Sequence, residues 1–184
     1  LSVGDDKLND KNYGFMVATK MNMIKIVSLE EFVRFGKSGI MLTKLRDDDS
    51  VIACEIVNMA DEDLRVIAVN NRGFGINLAL SDVPSLKRPS YGSSLFKPFK
   101  DSEDGLGLTV VGVKIVSDAE NQGILIINKF GLGKRIKVSN IPQGSRYNKG
   151  VIVTRLKDDD EVAYLDLYDD ADLESSNLMV IYSK

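Results

Sequence analysis

The side chains most able to do chemistry are few and badly placed for it. The chain has no histidine and a single cysteine, Cys54. That removes Ser-His and Cys-His catalytic pairs and the usual imidazole or multi-thiolate zinc sites. Two acidic runs, Asp47-Asp48-Asp49 and Asp158-Asp159-Asp160, invite a divalent-cation reading. Neither has the EF-hand spacing with its glycine and terminal glutamate, so both read as solvated turns. Gly73-Phe74-Gly75 and Gly131-Leu132-Gly133 imitate a phosphate loop, yet each lies between two strands with no helix after it and reads as a hairpin turn. Tyr13, Tyr91, Tyr147, Tyr164, Tyr168 and Tyr182 lack neighbouring arginine and carboxylate groups that would support a nucleophile for phosphodiester cleavage. What remains is basic: Lys25, Arg34 and Lys37; Arg72, Lys87, Arg88, Lys97 and Lys100; Lys129, Lys134, Arg135, Lys137, Arg146 and Lys149. Such residues bind a polyanion without transforming it.

These cations are grouped. The 184 residues carry a net charge of −3 with 43% apolar and 28% charged residues, an ordinary globular mix. Windows 20–46, 71–100 and 129–157 hold +4, +4 and +8, leaving −19 for everything else. Alternation of charge at that spacing calls for a repeat.

The repeat is visible in the residues. Phe15 to Lys20 followed by Ile24 to Phe32 matches Val66 to Asn71 followed by Gly75 to Val83, and Leu125 to Lys129 followed by Gly133 to Ile141. Phe32, Val83 and Ile141 are equivalent, at spacings of 51 and 58 residues. The expected organisation is one repeat domain over 1–184, with units near 13–63, 64–121 and 122–177 and the start of a fourth at 178–184. Because Leu1 is not an initiator methionine and the chain stops inside a strand-like segment, a piece of something longer is expected.

Each unit reads as β: a short aliphatic strand, a Gly- or Asn-bearing turn, an alternating strand, then a polar connection with the basic cluster. Further strands are expected over Gly39 to Leu45 and Val51 to Val57, and over Gly150 to Leu156 and Glu161 to Leu167, with the acidic runs as hairpin ends between them. Four strands per unit is the size of a propeller-type blade. The Gly-, Ser- and Pro-rich stretch Ser90 to Gly107 is expected to be an irregular loop, Leu29 to Arg34 to make one helical turn, and Cys54 to face the core. No apolar run is long enough to span a bilayer.

Five small motifs recur in fixed order, among them Gly131-Leu132-Gly133-Lys134-Arg135, Val138-Ser139-Asn140-Ile141 and Arg146-Tyr147-Asn148-Lys149-Gly150-Val151. In this the chain resembles the repeats of the C-terminal domain of bacterial type IIA topoisomerase A subunits, the family of DNA gyrase and topoisomerase IV. The resemblance covers roughly residues 13–184. It implies an all-β pinwheel, a partial or open arc of four-stranded blades that exchange strands. It also implies a non-catalytic role in binding and bending duplex DNA around a basic rim. Gyrase A subunits carry a Gln-Arg-Arg-Gly-Gly-Lys-Gly box in the first repeat; the nearest stretch here, Gln143 to Gly150, lacks the double arginine and double glycine. Either the true box lies upstream of Leu1 or the protein is topoisomerase IV-like, so gyrase and topoisomerase IV both stay open.

The expected partners are double-stranded DNA with little sequence preference, together with the enzyme's B subunit, the remainder of its A subunit, but no membrane. No cofactor is expected in this chain, with ATP and Mg belonging to the parent enzyme only. The expected location is cytoplasmic and nucleoid-associated. About eight phosphate contacts would make log affinity fall with log salt at a slope of roughly −7. Reversal of Lys134 and Arg135 to Glu is expected to weaken binding more than tenfold. The competing expectation is a propeller-like scaffold that binds proteins through its acidic turns.

Overall fold

The computed structural model describes residues 7, 10–33, 38–98, 107–157 and 159–171. Within them the chain runs through β1 (Tyr13–Thr19), β2 (Met23–Ser28), β3 (Val51–Asn58), β4 (Arg65–Asn70), β5 (Phe74–Ala79), β6 (Ser93–Ser94), β7 (Val110–Val116), β8 (Gln122–Asn128), β9 (Gly133–Lys137), β10 (Val151–Ile152) and β11 (Val162–Asp169). These make three antiparallel sheets, β3-β1-β2-β6, β10-β5-β4-β7 and β11-β8-β9. A single 3-10 turn follows each of β2, β5 and β9, at Leu29–Phe32, Leu80–Asp82 and Val138–Asn140. No described helix is long and apolar enough to cross a membrane.

The central sheet explains why its strands read as aliphatic runs. Val66 and Ala68 of β4 enter one core with Met16, Ala18, Ile24 and Ile26 of the first sheet. Their neighbours Ile67 and Val69 enter a second core with Ile124, Ile126, Val138 and Leu165 of the third sheet. A strand covered on both faces has no need to alternate. Burying each such valine, leucine, isoleucine or methionine side chain contributes about 1.5–3 kcal/mol, so the second sheet ties the other two together.

The sheets exchange strands. β6 comes from the second unit in sequence but pairs with β2 of the first, Met23 opposite Ser94 and Ile24 opposite Ser93. β10 comes from the third and pairs with β5 of the second, Phe74 opposite Ile152 and Gly75 opposite Val151. Parallel bridges precede both crossings, Ile26 to Ser85 and Asn77 to Gln143. Each crossing begins at a glycine in the left-handed region, Gly92 at φ 92° and Gly150 at φ 80°. A Cβ on Gly150 would lie 2.6 Å from the Gly75 carbonyl oxygen, and one on Gly92 3.0 Å from that of Ile24. Only a hydrogen side chain allows this backbone approach. Gly39, at φ 75°, occupies the equivalent place with nothing within 4 Å among the described residues.

Several expectations need correction. Gly39 to Leu45 forms no strand, because among the described residues no neighbouring strand pairs with it. The acidic runs do not close hairpins: β10 and β11 belong to different sheets, so the run between them is a link from one sheet to the next. Asp158 lies outside the described residues. In the supposed loop from Ser90, β6 is paired and Leu95 and Phe96 are fully buried; residues 99–106 lie outside the described set. Cys54 is half-buried, and burial raises its thiol pKa. Leu29–Phe32 does form the single turn expected, capped by the Ser28 hydroxyl accepting from the Glu30 N–H.

Candidate nucleic-acid interface

Inside and outside can be told apart by which strands touch the next sheet. β3 packs against β7, and β7 against β11. A Cβ on Gly112 would come within 2.9 Å of Leu165, and Lys114 on β7 is 2.8 Å from Asp166 on β11. Those three strands therefore form the inner side of the arc. The opposite edge of each sheet is β2 with β6, β5 with β10, and β9. The basic connections run along this outer edge.

Not every expected cation is available there. Lys25 is 1% exposed, and its ammonium donates to the Leu42 carbonyl at 3.0 Å and the Ser90 hydroxyl at 3.1 Å. Burial lowers its pKa, with Glu31 opposing. A lysine on an outer strand reads as rim charge, and the fold turns it inward as a clasp on the segment that follows. Lys134, at the equivalent place, donates to the Val153 carbonyl at 2.9 Å, and Val153 is the equivalent of Leu42. Loss of binding in a Lys134→Glu variant would thus not isolate a phosphate contact. Arg146 donates from Nη1 to the Ser94 carbonyl at 3.0 Å, leaving its buried Nε without a partner. Arg88 bonds the Glu31 carbonyl at 3.3 Å and faces that carboxylate at 3.8 Å. Lys137 pairs with Asp170 at 2.7 Å, and that hydrogen bond raises its pKa.

The remaining expected residues are more open. Arg72 donates from Nε to the Gly107 carbonyl at 3.3 Å. Arg135 stands 5.9 Å over the Tyr168 ring, Lys129 5.4 Å over Phe130 and Lys149 5.0 Å over Phe74. Lys87 and Lys97 are exposed. Arg34, Lys37 and Lys100 lie outside the described residues. Beside β9, a groove of about 870 Å³ is lined by Lys134, Arg135, Lys137, Ile152 and Tyr168.

The structure adds residues that sequence reasoning passes over. Lys44 and Arg46 both stand 6.0 Å from the ring of Tyr91, itself 45% exposed. Arg155 and Lys157 are exposed at the corresponding place of the third unit. All four lie inside the basic windows, which is the signal that could have found them, but in segments that read as ordinary strands.

Repeated four-stranded antiparallel sheets, each completed by a strand from the following unit, define a β-pinwheel of the propeller class. The chain matches the family described as DNA gyrase C-terminal domain, beta-propeller, over residues 15–58, 65–101 and 124–168, and it belongs to that family, the C-terminal domains of type IIA topoisomerase A subunits. It is 34% identical over 149 residues to the DNA gyrase A subunit of Chlamydia pneumoniae, covering 78% of this chain and 17% of the relative. With the DNA gyrase A subunit of Kosmotoga olearia it shares 30% identity over 154 residues, covering 82% of this chain and 18% of the relative. The chain thus spans less than a fifth of these relatives' length. In fold it is similar to the C-terminal domain of DNA topoisomerase IV, with a TM-score of 0.75 at 18% identity over 88% of this chain and 49% of the other. The E. coli ParC C-terminal domain gives 0.62 at 15% identity over 85% and 62%.

Proposed function

We propose that this chain binds duplex DNA along its outer, strand-exchanged edge and bends it, with no chemistry of its own and no cofactor. The parent we favour is a gyrase A subunit, in which the bent segment is handed to the strand-passage machinery formed with the B subunit in the cytoplasm; ATP and Mg act there and not here. Family membership supports this reading. The observation that carries it is the separation of charge: exposed cations recur along the outer edge of successive sheets, while the inner strands neutralise theirs. Spaced cations on a convex edge match a curved phosphate backbone, and contacts of this kind position a duplex without reading its bases. Smooth bending of 20–30 base pairs costs on the order of 1–6 kcal/mol, which several such contacts can offset.

The test is fluorescence anisotropy with a labelled duplex of about 40 base pairs across a range of salt. The expected result is binding without sequence preference and a log–log salt slope of roughly −7 from about eight contacts. Absence of binding at low salt would favour the protein-scaffold reading. Topoisomerase IV, whose C-terminal domain shares the fold, is the alternative parent; a supercoiling assay on the full A subunit with its B subunit separates the two.

A further inference from the structure

Successive crossing segments are stitched to one another where two sheets meet. The Lys44 N–H donates to the Ser90 carbonyl at 3.1 Å, and the Lys97 N–H to the Asn148 carbonyl at 2.9 Å. Ser90 and Asn148 are equivalent, each standing two residues before the left-handed glycine of its crossing. Lys44, Lys97 and Arg155 are therefore one structural position in three units, two residues past Leu42, Leu95 and Val153. The stitch sets Lys44 beside Tyr91 and Lys97 beside Lys149, in both cases the residue that follows its partner.

This position differs from the one that the basic clusters first suggest. On β2, β5 and β9 the equivalent residues are Lys25, Ile76 and Lys134; one has no charge and the other two donate into the protein. At the position of Lys44, Lys97 and Arg155 all three are cationic and exposed, and none forms an ion pair among the described residues. Lys97 is moreover held next to a second crossing that carries Lys149.

Resting on the DNA-binding reading above, we infer that the duplex is gripped at the junctions between sheets, at composite nodes built from two successive crossings, Lys44 and Arg46 with Tyr91 and Lys97 with Lys149, while Arg155 and Lys157 offer the same pair of cations on a single crossing. Lys87 lies close to the first node, since its carbonyl accepts from the Ser90 hydroxyl at 2.8 Å. Each node spans two crossings, so the angle between neighbouring sheets sets the spacing of phosphate contacts and hence the curvature imposed on the duplex.

The test compares two double variants with the same change in net charge. Lys44→Glu with Lys97→Glu reverses two nodes. Lys7→Glu with Lys11→Glu reverses two exposed lysines ahead of β1, away from the crossings. In the anisotropy assay the node variant should lose more than about a hundredfold in affinity and the control only a few-fold. The milder Lys44→Ala with Lys97→Ala should flatten the salt slope by about 2, at ~0.9 per lost contact. Circular dichroism and thermal unfolding establish that the variants are folded. Equal losses in the two Glu doubles, or an unchanged slope in the Ala double, would overturn the node assignment and leave DNA binding standing. A wild-type chain that fails to bind DNA would remove both.

Discussion

The inner strands and the outer crossings use the same device, one charged residue at one position in every unit, to opposite ends. On the inner side Glu55, Lys114 and Asp166 stand opposite Met16, Ile67 and Leu125 in β3, β7 and β11. Their signs alternate. Lys114 and Asp166 meet at 2.8 Å, and the Tyr164 hydroxyl donates to the same carboxylate at 2.8 Å. Burial would raise the Asp166 pKa, but the hydrogen bonds from Lys114 and Tyr164 outweigh it and hold it below the usual carboxylate range. Glu55 is raised by burial, with Lys114 opposing. On the outer side Lys44, Lys97 and Arg155 share one sign and meet no carboxylate among the described residues. Repetition with alternating sign links one sheet to the next; repetition with constant sign leaves a charge for something outside the chain.

The largest effect should come from unseating a crossing. Gly150→Ala forces a side chain into a left-handed backbone already touching the Gly75 carbonyl. It should cost on the order of 3 kcal/mol in urea unfolding. Gly39→Ala, with the same backbone conformation and open space around it, should cost only about 1 kcal/mol. Equal costs would mean that the exchanged strand is not seated as described.

Next in size is Lys114→Glu, which places three carboxylates in a row on the inner strands. These groups are partly exposed, 31% for the lysine and 43% for its partner, so solvent screens them and roughly 1 kcal/mol of stability should be lost. DNA affinity of the folded variant should stay within about twofold of wild type, since only one distant charge changes sign. A loss as large as that of the node variant would erase the distinction between inside and outside.

The smallest effect is a pH dependence. Because burial raises the folded-state pKa of Glu55, its ionised form counts against the fold, and the wild type gains from this group as pH falls through that raised value. Glu55→Gln should therefore raise the melting temperature by about 1–2 °C at neutral to alkaline pH, with the advantage fading on acidification. An advantage that grew toward acid would mean that Lys114 and not burial governs Glu55.

Much of this is legible in the residues, and the exceptions share a cause. The recurring aliphatic strand pairs and the hairpin turns at Gly73 and Gly131 follow from local patterns of aliphatic and turn residues. Strand exchange does not: Ser93-Ser94 is a two-residue polar strand, too short and too hydrophilic for any periodicity to mark. The same gap misplaces the cations. Lys25 looks like a rim charge until Leu42 and Ser90, 17 and 65 residues away, close over it. Lys44 looks like an ordinary strand charge until the next crossing is laid against it. Contacts between units set both outcomes, and a pattern read along one unit does not contain them.

The most direct test of the outer-edge account is lysine footprinting: brief acetylation of the folded chain with and without duplex DNA, read by mass spectrometry. Lys44 and Lys97 should become strongly protected when DNA is bound, while Lys7 and Lys11 keep their reactivity. Protection spread evenly over all four, or confined to Lys7 and Lys11, would contradict the placement of the duplex on the strand-exchanged edge.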